Sequence, residues 1–176
     1  MVIMNLKKIL VGIDGIKAKG EIDREVTTIE KDSRKVVEGS MFFAIKGFTT
    51  DGTQYINSAI EKGAKTILVE ETTDIRSLNI PEDVTLIVVP DARYAMAICA
   101  CNFYDNPSKK VKLIGVTGTK GKTTTTFMIK EILQKQGIKT GLVGTIAVYS
   151  GDKKLLDSDR TTPESIELQQ YFAQMV

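Results

Sequence analysis

The N-terminal part of the chain alternates between short apolar runs and stretches in which apolar residues recur at helical spacing. MFFAI at 41–45 is a continuous apolar run, and continuous rather than alternating apolar character is typical of a strand buried on both faces. Three similar short runs predict further strands, at 26–29, 66–69 and 84–89. Two stretches predict helices, one over 55–62 between two of these strands and one over 91–104 after the last of them.

Residues with terminal preferences mark the ends of both predicted helices. Gly63 follows the first helix, where glycine tolerates the positive φ of a C-terminal cap. Asp91 precedes the second helix, where its carboxylate can accept hydrogen bonds from the first turn. The second helix has one apolar stripe, formed by Ala92, Met96, Cys99 and Phe103.

The pattern changes at DNPSKK (105–110), which has the composition of a turn or linker. We therefore expect two domains, over 1–107 and 108–176. In the second, 112–117 and 139–148 predict strands on either side of a helix over 123–136, which makes a βαβ unit with a right-handed crossover.

The last predicted helix begins at Pro163, with Thr162 as its N-terminal cap. Together these elements predict the α/β class. Because parallel sheets normally have four or more strands covered on both faces, we expect the second domain to be incomplete and the chain to be part of a longer protein.

Composition narrows the functional classes. The 176 residues carry a net charge of +2 with no basic run, so nucleic acid is not an expected partner. No apolar window is long enough for a membrane span or a signal peptide core, and we expect a cytoplasmic protein. The absence of histidine excludes histidine bases and histidine-ligated metals within this chain. Cys99 and Cys101 would not face each other on a helix, and we expect plain thiols.

GVTGTKGKTTTT at 115–126 has the setting of a phosphate-binding loop. The common loop has a glycine five residues before its Gly-Lys pair, but Val116 occupies that position. The physical requirements are nevertheless met, because the loop joins a predicted strand to a helix N-terminus that presents unpaired N–H groups. A glycine-rich turn with an incidental lysine is the alternative. The residues expected to bind nucleotide are Gly118, Thr119, Lys120, Gly121, Lys122, Thr123 and Thr124.

This loop resembles the shortened ATP loop of the Mur ligases and folylpolyglutamate synthetases, Gly-Thr-x-Gly-Lys-Thr/Ser. The stretch from DSRKVV to EKGA (32–64) resembles the N-terminal UDP-binding domain shared by the E- and F-type Mur ligases. GLVGTIAV followed by RTTPES resembles the E type. The resemblance implies a small N-terminal UDP-binding α/β domain, followed by the first βαβ part of the central ATPase domain.

The resemblance also implies how substrate is bound. The Asp32-Ser33-Arg34 motif would hold the UDP group, the loop after the buried strand would contact uracil and phosphate, and paired threonines would contact the muramoyl peptide. Taken without the resemblance, the first motif is equally a turn with a local Asp–Arg pair. The implied substrate contacts are Ser33, Arg34, Phe48, Thr49, Thr50, Thr161 and Thr162. Two positions depart from the family, since Lys120 and Arg160 stand where relatives usually carry asparagine.

The implied reaction is the ATP-dependent addition of a diamino acid, meso-diaminopimelate or L-lysine, to UDP-MurNAc-L-Ala-D-Glu through an acyl phosphate. Lys122 and Thr123 would be catalytic, with ATP and Mg²⁺ as cofactors and Thr123 as a metal ligand. The protein is expected to be monomeric. Other family machinery would lie beyond Val176, so this chain alone is expected to be inactive. The alternatives are an F-type ligase, which adds D-Ala-D-Ala, and a non-catalytic nucleotide- or UDP-sugar-binding module.

Overall fold

The computed structural model describes residues 3–47, 50–157 and 162–176. Its contacts divide the chain into two compact units, Met1–Asp105 and Asn106–Val176. None of the helices in the described ranges has both the length and the apolar character to cross a membrane.

In its described residues, the first unit contains seven strands and three α-helices. In chain order they are β1 (Met4–Asn5), α1 (Leu6–Ile9), β2 (Lys17–Lys19), β3 (Glu25–Val26), β4 (Ile29–Glu30), β5 (Met41–Phe43), α2 (Ile56–Glu61), β6 (Thr66–Glu70), β7 (Thr85–Val89) and α3 (Ala92–Phe103). Short 3₁₀ helices occupy Gly52–Tyr55 and Ile75–Ser77. The mixed α/β class is thereby confirmed, while the single strand predicted at 26–29 is two short strands with different partners.

A five-stranded sheet organises this unit, with strand order β2-β7-β6-β5-β4. The four strands from β4 to β7 are parallel, and β2 pairs antiparallel with β7 at one edge. All three residues of β5 are buried, in agreement with the continuous apolar run that predicted this strand. Because the carboxyl ends of parallel strands share one edge of a sheet, the segments after β4 and β5 are neighbours there.

Both predicted helix caps of the first unit are present. The Asp91 carboxylate accepts a hydrogen bond from the Tyr94 N–H at 2.9 Å, and α3 starts at the next residue. Gly63 has φ +100°, and a Cβ there would lie 2.7 Å from the Glu38 Cα. The predicted apolar stripe of α3 is buried along its whole length.

Outside 158–161, the second unit consists of a 3₁₀ helix, two α-helices and an antiparallel sheet. In chain order its elements are the 3₁₀ helix Pro107–Lys109, α4 (Lys122–Lys135), β8 (Gly141–Val143), β9 (Ala147–Ser150), β10 (Lys153–Asp157) and α5 (Ser165–Met175). The three strands pair in the order β10-β9-β8, and both pairings are antiparallel.

Two strand predictions for this unit are wrong in detail. Residues 112–117 form no strand, because no other described strand pairs with them, and a strand needs a partner for its N–H and C=O groups. Residues 139–148 are not one strand, since the chain turns at 144–146 and β9 folds back on β8. The local hairpin provides backbone hydrogen bonds that the expected parallel crossover would have taken from a distant strand.

The start of the last helix also differs from the prediction. α5 begins at Ser165, and its N-terminal cap is Glu164 rather than Thr162. The reason is a capping box, in which the Glu167 carboxylate accepts the Glu164 N–H at 3.1 Å. Pro163 therefore precedes the cap instead of occupying the first helical position.

Candidate functional site

The predicted phosphate loop contains two glycines with positive φ and leads directly into α4. Gly118 has φ +149° and Gly121 has φ +81°, conformations that favour glycine. Gly121 is the N-terminal cap of α4, and a Cβ built on it meets no atom within 4 Å. Backbone conformation therefore requires this glycine, and the space beside it is open to a bound group.

The N-terminus of α4 has the electrostatics of an anion site. No side chain caps it, and no acidic residue lies in its first turn. The first N–H groups of an α-helix have no partner within the helix, and the helix dipole places partial positive charge there. Phosphate oxygens would meet both features.

Lys122 adds a full positive charge to the same loop. Its Nζ donates a hydrogen bond to the Gly118 carbonyl oxygen at 2.7 Å, so the side chain folds back across the loop. Thr123 follows at the second position of α4 and is half-buried, and its carbonyl accepts a bond from the Thr126 hydroxyl at 2.8 Å. Thr119 and Lys120 are exposed at the crest of the loop, and Thr124 is exposed on the first turn of α4. The loop thus brings together the residues that the sequence predicted as one nucleotide site.

The described residues hold no cluster of acidic or cysteine side chains that could bind a metal unaided. Thr123 is one of several threonines that offer a hydroxyl at the loop, together with Thr119 and Thr124.

In the first unit, the Asp32-Ser33-Arg34 motif follows β4 at the carboxyl edge of the sheet. The guanidinium of Arg34 makes a bidentate hydrogen bond to the Asp32 carboxylate, with Nη2 donating at 2.7 Å and Nε at 2.9 Å. The Arg34 N–H donates to the same carboxylate at 3.0 Å, which closes a tight turn. The local Asp–Arg pair that the sequence left open as an alternative is therefore present, and it engages the Nε and Nη2 donors of the guanidinium.

Ser33 lies inside this turn and is only 8% exposed. Its hydroxyl makes no hydrogen bond to any residue in the described ranges. The Ser33 carbonyl oxygen accepts a hydrogen bond from the Nζ of Lys62, at 3.0 Å. Sequence reasoning missed Lys62, since 29 residues separate the two partners and no local pattern links them.

The loop after β5 is closed at its base by backbone hydrogen bonds. Lys46 and Asp51 form an antiparallel bridge, and the Gly47 N–H donates to the Thr50 carbonyl at 2.8 Å. The Gly52 N–H donates to the Ile45 carbonyl at 3.0 Å. Thr50 is exposed next to this base. The predicted contacts Phe48 and Thr49 lie outside the described residues.

The predicted peptide-contacting threonines are only partly described. Thr162 is exposed and lies ahead of the Glu164 cap of α5. Thr161 and Arg160 lie outside the described residues. Of the predicted Thr161–Thr162 pair, the structure therefore describes Thr162 alone.

The Asp32–Arg34 pair leads to a prediction about acid titration. Hydrogen bonding to the Arg34 guanidinium lowers the pKa of the Asp32 carboxyl from 3.8 to about 2. Because the folded-state pKa is lowered, the pair stabilises the fold fully above pH 3.8, and the contribution is lost as pH falls through about 2. In Arg34→Met we expect the pKa of Asp32 to rise toward 3.8, measured by NMR titration of its carboxyl carbon. An unchanged titration would contradict the observed pairing, and Lys8→Met, which alters an exposed lysine on α1, is the control.

Comparison with family models places both units in one family. The model of the Mur ligase family catalytic domain matches residues 25–104. The model of the Mur ligase middle domain matches residues 116–176, which include most of the phosphate loop. The two matches cover both units of the chain.

Curated relatives extend this similarity over nearly the whole chain. A UDP-N-acetylmuramoyl-L-alanyl-D-glutamate–2,6-diaminopimelate ligase of Clostridium botulinum is 51% identical over 98% of this chain and 35% of its own length. The ligase of the same name from Geobacillus thermodenitrificans is 43% identical over 98% of this chain and 34% of its own length. The chain thus spans about a third of the length of these relatives.

Solved structures share the fold. A structure of a UDP-N-acetylmuramoyl-L-alanyl-D-glutamate–2,6-diaminopimelate ligase matches with a TM-score of 0.69 at 24% identity, over 98% of this chain and 33% of that one. Crystal structure I of MurF from Acinetobacter baumannii matches with a TM-score of 0.59 at 24% identity, over 76% of this chain and 28% of that one.

Proposed function

The chain belongs to the Mur ligase family, and we propose that it forms the N-terminal third of an E-type ligase of peptidoglycan precursor synthesis. The complete enzyme would join 2,6-diaminopimelate to UDP-MurNAc-L-Ala-D-Glu at the expense of ATP. The observation that carries the proposal is an open, uncapped phosphate loop on a chain that is 51% identical to a ligase of that name over 98% of its residues.

The reaction proceeds by two transfers. The free carboxylate of the D-glutamyl residue attacks the γ-phosphorus of ATP, and ADP leaves with the electron pair of the broken P–O bond. The amine of the diamino acid then attacks the carbonyl carbon of the acyl phosphate. Inorganic phosphate leaves as the amine loses a proton, and an amide bond remains.

The phosphate loop would supply the first transfer with electrostatic stabilisation. Lys122 would leave the Gly118 carbonyl, 2.7 Å away, to donate to the β- and γ-phosphate oxygens. The N–H groups of the first turn of α4 would hold the phosphates in place. Mg²⁺, held through the Thr123 hydroxyl, would neutralise charge on the nucleotide. Catalysis by this unit would thus consist of positioning and charge stabilisation.

The first unit would supply affinity for the UDP group. Its carboxyl sheet edge carries the Ser33 turn and the loop based on Lys46 and Asp51, which follow neighbouring parallel strands. Ligands of open α/β sheets bind outside the carboxyl ends of the strands. We propose contacts to the nucleotide from Ser33, Arg34 and Thr50, and also from Phe48 and Thr49. The Thr161–Thr162 pair is proposed to contact the peptide.

The names of the relatives favour 2,6-diaminopimelate over L-lysine. Relatives 42–51% identical over 98% of the chain carry the name of a 2,6-diaminopimelate ligase. The likeness to an F-type structure is at 24% identity and speaks for the fold alone.

The proposal is tested with the complete protein encoded by the gene. Phosphate release should require UDP-MurNAc-L-Ala-D-Glu together with meso-diaminopimelate, and L-lysine should substitute poorly. The F-type substrate pair, UDP-MurNAc-tripeptide with D-Ala-D-Ala, serves as the comparison. Turnover with that pair alone would establish the F-type alternative, and failure with every pair would favour a non-catalytic binding module.

A second expected result concerns the 176-residue chain by itself. Because it spans 35% of its Clostridium botulinum relative, we expect it to lack parts that the reaction needs. No phosphate release dependent on UDP-MurNAc-dipeptide should be detected under conditions in which the complete protein turns over. Substrate-dependent release by this chain would show that the two units suffice.

A further inference from the structure

We infer that Lys62 is a further specificity-determining residue of the proposed UDP site, whose ammonium group pairs with the diphosphate beside the Ser33 hydroxyl. The inference rests on the proposed function and assigns a residue to the same site.

The arginine of this turn is already engaged. Arg34 donates to the Asp32 carboxylate through Nη2 at 2.7 Å, through Nε at 2.9 Å and through its backbone N–H at 3.0 Å. A guanidinium that shares its fork with a carboxylate contributes no net charge to an incoming anion. A diphosphate at this turn therefore needs positive charge from a different residue.

Lys62 supplies such a charge at hydrogen-bonding distance from the turn. Its Nζ lies 3.0 Å from the Ser33 carbonyl oxygen. No acidic residue in the described ranges forms an ion pair with it. An ammonium group has three N–H donors, and the Ser33 carbonyl accepts one of them, so two remain for a ligand.

The Ser33 hydroxyl is the second, independent feature. It belongs to a residue that is 8% exposed and finds no hydrogen-bond partner among the described residues. The Oγ atom itself is not one of the buried side-chain atoms that lack a partner, so it is accessible and its O–H donor is open to a ligand. A phosphate oxygen would accept the hydroxyl proton and, at the same turn, the charge-assisted bond from Lys62.

The test measures binding of UDP and of uridine to the complete protein by calorimetry. The difference between the binding free energies of UDP and uridine isolates the contribution of the diphosphate, because the uracil contacts are common to both ligands. In Lys62→Met we expect UDP to bind about tenfold more weakly while uridine binds as before, as for the loss of one charged hydrogen bond. The salt dependence of UDP binding should also become shallower.

Two further variants separate charge from structure. Lys62→Gln keeps an N–H donor for the Ser33 carbonyl but has no charge, and it should lose UDP affinity like Lys62→Met. Lys62→Arg keeps the charge and should stay close to the parent. Lys19→Met is the matched control, since Lys19 is an exposed lysine on β2 at the opposite edge of the same sheet.

The outcomes are distinct. Full UDP affinity in Lys62→Gln would show that Lys62 only ties α2 to the Ser33 turn, and the inference would be overturned. Equal loss for UDP and uridine would overturn it too, because the effect would then be general to the site. If the parent protein binds UDP no better than uridine, both this inference and the proposed UDP site fail, whereas ligase turnover tests the proposed function separately.

Discussion

In the complete ligase, Lys122→Met is expected to lower turnover by a factor of about 10²–10³. A decrease of this size is usual when an enzyme loses one preorganised hydrogen-bond donor that stabilises the negative charge developing in the transition state. The side chain lies over the loop, with its Nζ 2.7 Å from the Gly118 carbonyl, so its charge is held at the loop that we propose to bind phosphate. Because the lost interaction is strongest in the transition state, the decrease should appear in kcat at saturating ATP. Phosphate release in the presence of UDP-MurNAc-dipeptide and diaminopimelate measures it.

Stability and local charge need separate controls in this experiment. The bond from Lys122 to Gly118 is on the surface and contributes about 1 kcal/mol at most, so thermal unfolding should be nearly unchanged. Lys135→Met removes an exposed positive charge from the last turn of α4, at the end of the helix away from the loop, and it should retain most turnover. If Lys122→Met stays within about tenfold of the parent enzyme, Lys122 does not serve the transferring phosphoryl group.

From residue 41 onward the first unit was largely predictable because its signals are local, whereas β1, α1 and β2 were not predicted. The apolar run at 41–45 gives a fully buried β5, and Asp91 and Gly63 mark helix ends through their own backbone chemistry. The strand at 26–29 was misjudged because both of its halves are β-like, and which strand each half pairs with is decided by distant residues.

The second unit was less predictable because its strand signal at 112–117 finds no partner strand among the described residues. Leu113 and Ile114 are adjacent, so in a strand they would face opposite sides, and they are 58% and 57% exposed. That pattern is typical of a strand meant for the interior of a sheet covered on both faces. Met128 and Ile132 are likewise exposed on α4. These residues predict a buried strand and a buried helix face, but their side chains are exposed among the described residues of this unit.

The candidate sites show the same division between local and distant signals. Contiguous motifs such as 118–124 and 32–34 were visible in the sequence, because their geometry arises from neighbouring residues. The contact between Lys62 and Ser33 was not visible, since it depends on how α2 packs beside the turn after β4. The engagement of Arg34 by Asp32 was visible only as one of two possibilities, and the hydrogen-bond geometry shows that the pair forms.

Gly52→Ala is expected to be the most destabilising single-methyl substitution at the base of the proposed uracil loop. A Cβ at Gly52 would lie 2.6 Å from the Ile45 carbonyl oxygen and 2.8 Å from the Ile45 nitrogen. Both are backbone atoms next to the buried strand β5, so neither moves without disturbing the sheet. Relief of the clash would break the hydrogen bond from the Gly52 N–H to the Ile45 carbonyl. We expect a loss of about 2–4 kcal/mol in the free energy of unfolding, measured by urea denaturation.

The same substitution should weaken substrate binding, because this hydrogen bond and the Lys46–Asp51 bridge fix the base of the loop. KM for the UDP substrate should rise while KM for ATP stays unchanged, since the phosphate loop lies in a different unit. Gly12→Ala is the control within the first unit: Gly12 has φ +83° but a Cβ there meets only a side-chain atom at 4.0 Å, so it should cost about 1 kcal/mol and leave both KM values alone. Equal destabilisation by the two substitutions would show that the Ile45 backbone yields, and that Gly52 is not what holds the loop closed.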